Sequence, residues 1–158
     1  MQSHSCFFVA LLALGMGTGV QARIPAAPER TGPIFPEWAF ENQQEARRTM
    51  VPMDGSQAVD LQGSGARQYL RLAGNYRETG HDRCSWDIHL NADLAIAKGI
   101  RFLFYSANSA PVASYAVYFR SGEGWYRAGF GLSQDGKWEE IVINKGDTST
   151  EESPGGWA

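Results

Sequence analysis

Covalent staples are missing from this chain. Only Cys6 and Cys84 are cysteines among its 158 residues, and Cys6 sits in a segment that reads as removable, so the remainder has no partner for an internal disulfide. Stability must then come from a packed core, in which an inert, buried Cys84 is the simplest reading. Strong positive charge is missing too. Lys and Arg number 14 against 17 Asp and Glu, a formal net charge of −3, and no Lys/Arg stripe occurs. A mildly acidic domain with scattered Arg makes a poor nucleic-acid binder. No apolar run reaches the roughly 20 residues that span a bilayer. The sequence contains no G-x-S-x-G elbow, no H-E-x-x-H pair and no phosphate loop. From Val51 onward no helical stripe is present either.

The first 22 residues carry no Asp, Glu, Lys or Arg. They contain the apolar run CFFVALLALGMGTGV at 6–20, followed by Val20-Gln21-Ala22 with small residues where a signal peptidase reads. The expectation is a signal peptide over 1–22, cleaved after Ala22, and a secreted or periplasmic protein with no membrane segment after cleavage. An uncleaved tether is the alternative, since the leading residues lack a basic side chain. The mature chain of about 136 residues is long enough for one domain with its own core.

Residues 23–36 hold four prolines and read as an extended leader onto a domain at 37–158. The segment 41–48 fits either a short helix or a polar loop after a strand at 38–40. Beyond it, turn residues recur every 8–12 positions or so, the spacing of an all-β, two-sheet antiparallel sandwich. The expected strands are 57–61, 68–73, 85–92, 100–105, 113–120, 125–132 and Trp138–Asn144, with a single helical turn at 93–98 capped by Asp93.

The richest stretch is 114–130, SYAVYFRSGEGWYRAGF, which places six aromatic rings in 17 residues around a tight Ser-Gly-Glu-Gly turn. Period two divides its strands. Tyr115, Val117 and Phe119 oppose Ala116, Tyr118 and Arg120, and Tyr126, Ala128 and Phe130 oppose Trp125, Arg127 and Gly129. The first and third of these sets read as core. Upstream, Trp86, Ile88 and Leu90 form a dry row against a wet row of Asp87, His89 and Asn91. Ile100, Phe102 and Phe104 form another dry row, as do Ile141 and Ile143.

The segments YFRSGEGWY, LRLAGNY, SWDIHL and the terminal SPGGW occur in one chain, and together this set resembles the jelly-roll, galactose-binding-like domains that accompany catalytic domains in large exported bacterial glycoside hydrolases. The resemblance covers roughly residues 37–157. It implies a jelly-roll sandwich acting as a non-catalytic, carbohydrate-associated accessory module. It also implies a truncated one, because the Pro-Gly-Trp turn of such domains leads into a further strand, and a catalytic domain would lie beyond it.

Sugar binding by a sheet needs flat aromatic faces for the C–H surface and planar polar groups for the hydroxyls. Trp125, Tyr118, Arg120, Arg127, Asp87, His89 and Asn91 are the residues of those types on the wet rows. The competing reading places Tyr118 and Trp125 in the core and leaves the polar groups as an ordinary solvated face. A spacer domain that binds no sugar is the second functional reading. A polysaccharide lyase using His89, Asn91, Tyr118 and Arg120 is the third. His81, Asp82 and His89 are too loosely spaced for a zinc site. No cofactor is expected, beyond a structural calcium held near Asp147 or Asp54, for which no ligand loop is visible.

Overall fold

The computed structural model describes residues 5–10, 40–74, 80, 83–90, 97–121 and 124–150. Among them are one α-helix and ten strands in three antiparallel sheets of six, two and two strands. The remaining residues of the expected signal peptide, the Pro-rich leader at 23–36, Trp38, His81, Asp82, Asn91, residues 93–96 of the expected turn at 93–98 and the C-terminal SPGGW lie outside the described residues.

The helix α1 (Gln43–Thr49) settles the ambiguity at 41–48. Asn42 caps it by accepting the Glu45 amide at 2.9 Å, and Glu45 reaches back to the Glu41 amide at 2.9 Å. Arg47 and Arg48 stand in the last turn, where the helix dipole favours cations. Gln43 then pins the helix to the next segment. Its side-chain amide donates to the Val59 carbonyl at 2.8 Å and accepts from the Leu61 amide at 2.6 Å.

Strand β1 (Ser5–Ala10) is the first element among the described residues, and β2 (Met50–Asp54) follows α1. Next come the short pair β3 (Asp60–Gln62) and β4 (Tyr69–Arg71), then β5 (Cys84–Leu90), β6 (Gly99–Tyr105), β7 (Tyr115–Ser121), β8 (Gly124–Phe130), β9 (Trp138–Asn144) and β10 (Ser149–Thr150). The large sheet runs β10-β8-β7-β1-β5-β2, and β6 pairs with β9 separately. The expected hairpin is β7–β8, closed at the pair Ser121↔Gly124. The bounds of Trp138–Asn144 match the sequence expectation residue for residue.

Three strands of the large sheet carry no expectation from sequence: β1, β2 and the two-residue β10. Met50–Asp54 contains Pro52, which cannot donate to a ladder, and β2 is accordingly an edge strand. Ser5–Ala10 comes from inside the segment read as a leader, yet its backbone is paired antiparallel to β5 on one side and β7 on the other.

The core lies between the large sheet and the β6–β9 ladder. Trp86 is fully buried and its indole N–H donates to the Gln57 carbonyl at 2.8 Å, so its one polar atom is satisfied. Phe104 sends its ring edge-on to Tyr115 at 5.0 Å and to Phe130 at 5.2 Å, and Phe102 meets Phe130 at 5.3 Å. Edge-to-face pairs of this kind contribute about 0.5–1.5 kcal/mol each beyond their buried area. Val117, Tyr126, Ala128, Ile141 and Ile143 complete the contact from the two sides, and Val59 and Leu72 belong to the same buried cluster. Of the dry rows expected from sequence, Trp86, Ile88, Phe104, Tyr115, Val117, Tyr126, Ala128, Ile141 and Ile143 are buried, and Ile100, Phe102 and Phe130 are half-buried. Cys84 is buried and free.

Candidate functional site

Strand registers decide which of the candidate residues meet. In the hairpin, Tyr118 lies directly opposite Arg127 and Arg120 directly opposite Trp125. These four positions therefore form a compact block on the face of the sheet turned away from the core. Tyr118, Trp125 and Arg127 are half-buried, which separates them from fully buried Tyr115, Val117, Tyr126 and Ala128 on the other face. The Arg127 Nε donates to the Tyr118 hydroxyl at 2.9 Å, and the guanidinium carbon sits 5.7 Å from the centre of the same ring. A cation within about 6 Å of an aromatic centroid is attracted by the ring quadrupole. The arrangement fixes a flat ring and a planar donor side by side, the two group types a sugar requires.

Asp87 and His89 lie further off. They belong to β5, which is separated from β7 by β1. One backbone row runs Arg127, Tyr118, Phe8, Asp87, Val51, and the next runs Trp125, Arg120, Cys6, His89. With strands about 4.8 Å apart, Trp125 and His89 stand roughly 14 Å apart across the sheet. The candidate residues thus share one face of one sheet but form two groups, with the β1 positions Cys6 and Phe8 between them. The side chains of His89 and Arg120, and all of Asn91, are outside the described residues.

The expected wet row fails at Asp87, which is only 7% exposed. Alternation assigns a residue to a face but cannot say how deep that face is covered. β5 is an interior strand flanked on both sides, and the position beside Asp87 on β2 is Val51. Ser85, on the same row, is also buried. Its amide donates to the Ser56 hydroxyl at 2.7 Å, and that hydroxyl donates to the Ser85 carbonyl at 2.7 Å.

The carboxylates considered for calcium have protein partners. Asp54 pairs with the Arg83 guanidinium at 3.0 Å, and Asp147 accepts the Asn144 amide at 2.8 Å in a capping box. Among the described residues no group of three or more His, Cys, Asp or Glu is placed to hold a metal ion.

A second aromatic cluster, missed in the sequence, stands on the β6–β9 ladder. Tyr105 and Trp138 are directly opposed in register with ring centres 5.5 Å apart, and Tyr69 of β4 meets Trp138 edge-on at 5.5 Å. All three are half-buried. Both ladder residues fall on the wet rows of their strands, but only the non-local pairing of β6 with β9 brings them together.

An open groove of about 440 Å³ runs between β8 and β9, lined by Phe130, Ile141, Ile143, Glu139 and Asp147 among others. It includes neither Tyr118 nor Trp125. Its Glu139 accepts the Ser133 amide at 2.9 Å and the Gln134 amide at 2.8 Å, and these bonds hold its carboxyl below the ordinary value. No family model, curated protein or solved structure matches the chain.

Proposed function

We propose that this chain is an exported, non-catalytic carbohydrate-binding module that contacts sugar through the outer face of the β7–β8 hairpin. The observation that carries the reading is the Tyr118–Arg127 pair with Trp125 two residues from Arg127 along β8, all half-buried on a face opposite the core. A pyranose lying on such a ring gains apolar contact from the C–H face. The guanidinium, held flat by the ring, donates to the hydroxyls. Arg120, opposite Trp125, extends the same block. Asp87 is too buried to contribute while β1 occupies its place beside it. The parent architecture in this reading is a jelly-roll sandwich, the large sheet facing β6–β9 across the aromatic core. The export reading comes from the composition of residues 1–22, and the module would serve a polysaccharide-degrading catalytic domain on the same polypeptide.

A glycan array probed with the folded chain tests the proposal, with Trp125→Ala and Tyr118→Ala as site variants and Trp138→Ala as a variant of the second aromatic cluster. Binding abolished by the first two and unchanged by the third is the expected result. Loss only with Trp138→Ala moves the site to the β6–β9 ladder. Absence of binding to any glycan by a folded chain favours the spacer reading.

A further inference from the structure

The groove beside β9 offers chemistry that the hairpin block does not use. It takes residues 139–143 of β9 in one unbroken run, with Ile141 and Ile143 from the buried row and Glu140 and Val142 from the outer row. Successive side chains of a strand point to opposite faces, so a groove lined by both rows lies at the strand's edge. β6 pairs with β9 along its other edge, and among the described residues no strand pairs with this one.

Hydrogen-bond direction shows what the edge presents. The Lys145 amide donates to the Lys98 carbonyl at 2.9 Å, and these two residues continue the β6–β9 register by one step. Bonded and non-bonded pairs alternate along an antiparallel ladder, so the amides and carbonyls of Glu139, Ile141 and Ile143 point to β6. Those of Glu140, Val142 and Asn144 point away from it. The Asn144 amide agrees, since it donates to Asp147 Oδ2 at 2.8 Å. Glu140 and Val142 therefore turn backbone donors and acceptors toward the groove, the arrangement that templates a further strand.

The side chains describe what fits. Buried Ile141 and Ile143 and half-buried Phe130 make the inward lining apolar. Glu139, Glu140 and Asp147 supply charge, and no Lys, Arg or His belongs to the lining. Glu139 and Asp147 are bonded to neutral amides, which leave their charge in place, and Lys137 is the smallest influence on Glu139. Arg101 lies 3.7 Å from Glu140 across the ladder. A second copy of this edge would bring carboxylates together, and like charges across a strand pair are unfavourable. A sugar finds no open ring, because Phe130 is packed against Phe102, Phe104 and Tyr115.

We propose that the free edge of β9 is a docking site for an extended basic segment of a partner protein, which joins the β6–β9 ladder as a third strand. The segment bonds to the backbone of Glu140 and Val142. It sets an apolar side chain beside Ile141 and a Lys or Arg beside Glu140, so alternating basic and apolar residues are the pattern recognised. The site includes neither Tyr118 nor Trp125 and does not rest on sugar binding.

The test titrates the folded chain with a labelled decapeptide of alternating lysine and valine, read by fluorescence anisotropy and by amide exchange. A glutamate–valine decapeptide reverses the charge. A lysine–proline decapeptide keeps the charge and removes alternate backbone donors. Only the lysine–valine peptide is expected to bind saturably, slowing exchange at Glu140 and Val142 by about tenfold or more. The amides of Ile141 and Ile143, already in the ladder, should change little. Glu140→Lys, at an exposed position, should weaken binding by about fivefold or more, because an attractive cross-strand pair becomes a repelling one. Binding should also weaken as salt rises from about 0.1 M to about 1 M.

Equal binding of the lysine–proline peptide would mean a diffuse charge effect and overturns the proposal. Binding without slowed exchange at Glu140 and Val142, or no saturable binding of the lysine–valine peptide, overturns it as well. Unchanged affinity in Glu140→Lys overturns the assigned pairing. Slowing of the same two amides by an oligosaccharide and not by the peptide overturns it in favour of a sugar groove.

Discussion

Arg127 and Tyr118 hold each other twice, through a 2.9 Å hydrogen bond from Nε to the phenol oxygen and through the guanidinium lying 5.7 Å from the ring centre. The two residues are directly opposed on adjacent strands, so the contact follows from the hairpin register. Tyr118→Phe keeps the ring and removes the acceptor. A stability loss of about 0.5–1.5 kcal/mol is expected by urea denaturation. Sugar affinity should fall less with Tyr118→Phe than with Tyr118→Ala, a comparison readable by titration calorimetry.

Trp86 is the largest fully buried side chain, and its N–H is bonded to Gln57. Trp86→Ala leaves a cavity and an unused carbonyl, and should cost about 3–5 kcal/mol. The denaturation midpoint should drop with little change in slope if the fold survives.

Strand β9 offers a matched pair of substitutions. Ile141 is 7% exposed and Val142, its neighbour, 52%. Ile141→Ala should destabilise by about 2–5 kcal/mol. Val142→Lys should change stability by less than about 0.5 kcal/mol. Thermal melts of the two variants check the strand's orientation directly.

Gly99 faces Asn144 at the start of the β6–β9 ladder, and a Cβ there would collide with the Ile143 carbonyl. Backbone cannot swing aside as a flexible side chain can. Gly99→Ala should therefore destabilise by about 1–3 kcal/mol.

Two carboxylates, exposed Asp135 and half-buried Glu139, tie loops to the β6–β9 end of the fold. Asp135 accepts the Ser109 hydroxyl at 2.6 Å and its amide at 3.1 Å, and Glu139 accepts two loop amides. Hydrogen bonds to the charged form hold both pKa values below the ordinary carboxylate values, led by the Ser109 side chain for Asp135 and the Ser133 backbone for Glu139. Because the folded values are depressed, their stabilisation is present above the unfolded values and is lost as pH falls through the folded ones. Acid titration should loosen the loops at 106–111 and 131–137 below about pH 4. Asp135→Asn should reduce that dependence, as read by amide exchange.

Much of the architecture is written locally. Alternation of apolar and polar residues, as at Trp86, Asp87 and Ile88, gives the strands, and the short turn fixes which residues of the hairpin oppose each other. That is why Tyr118, Trp125 and Arg127 were separable from the core rings by sequence. Strand neighbours beyond the hairpin are a different matter. Nothing in SCFFVA distinguishes a leader from a sheet strand, and Pro52 speaks against a strand unless β2 is known to lie at an edge. Asp87 obeys the alternation yet is buried, since coverage depends on strands far away in sequence. The meeting of Tyr69, Tyr105 and Trp138 is equally non-local, as it requires both the β6–β9 register and the placement of the β3–β4 hairpin.

Pro52 has one more effect. Proline is tolerated in β2 where its nitrogen points away from β5, so the outward side of the sheet carries a gap in its row of donors at mid-strand. A second molecule trying to extend the sheet there would find no continuous template. The large sheet is thereby guarded against fibril-like polymerisation along its β2 side.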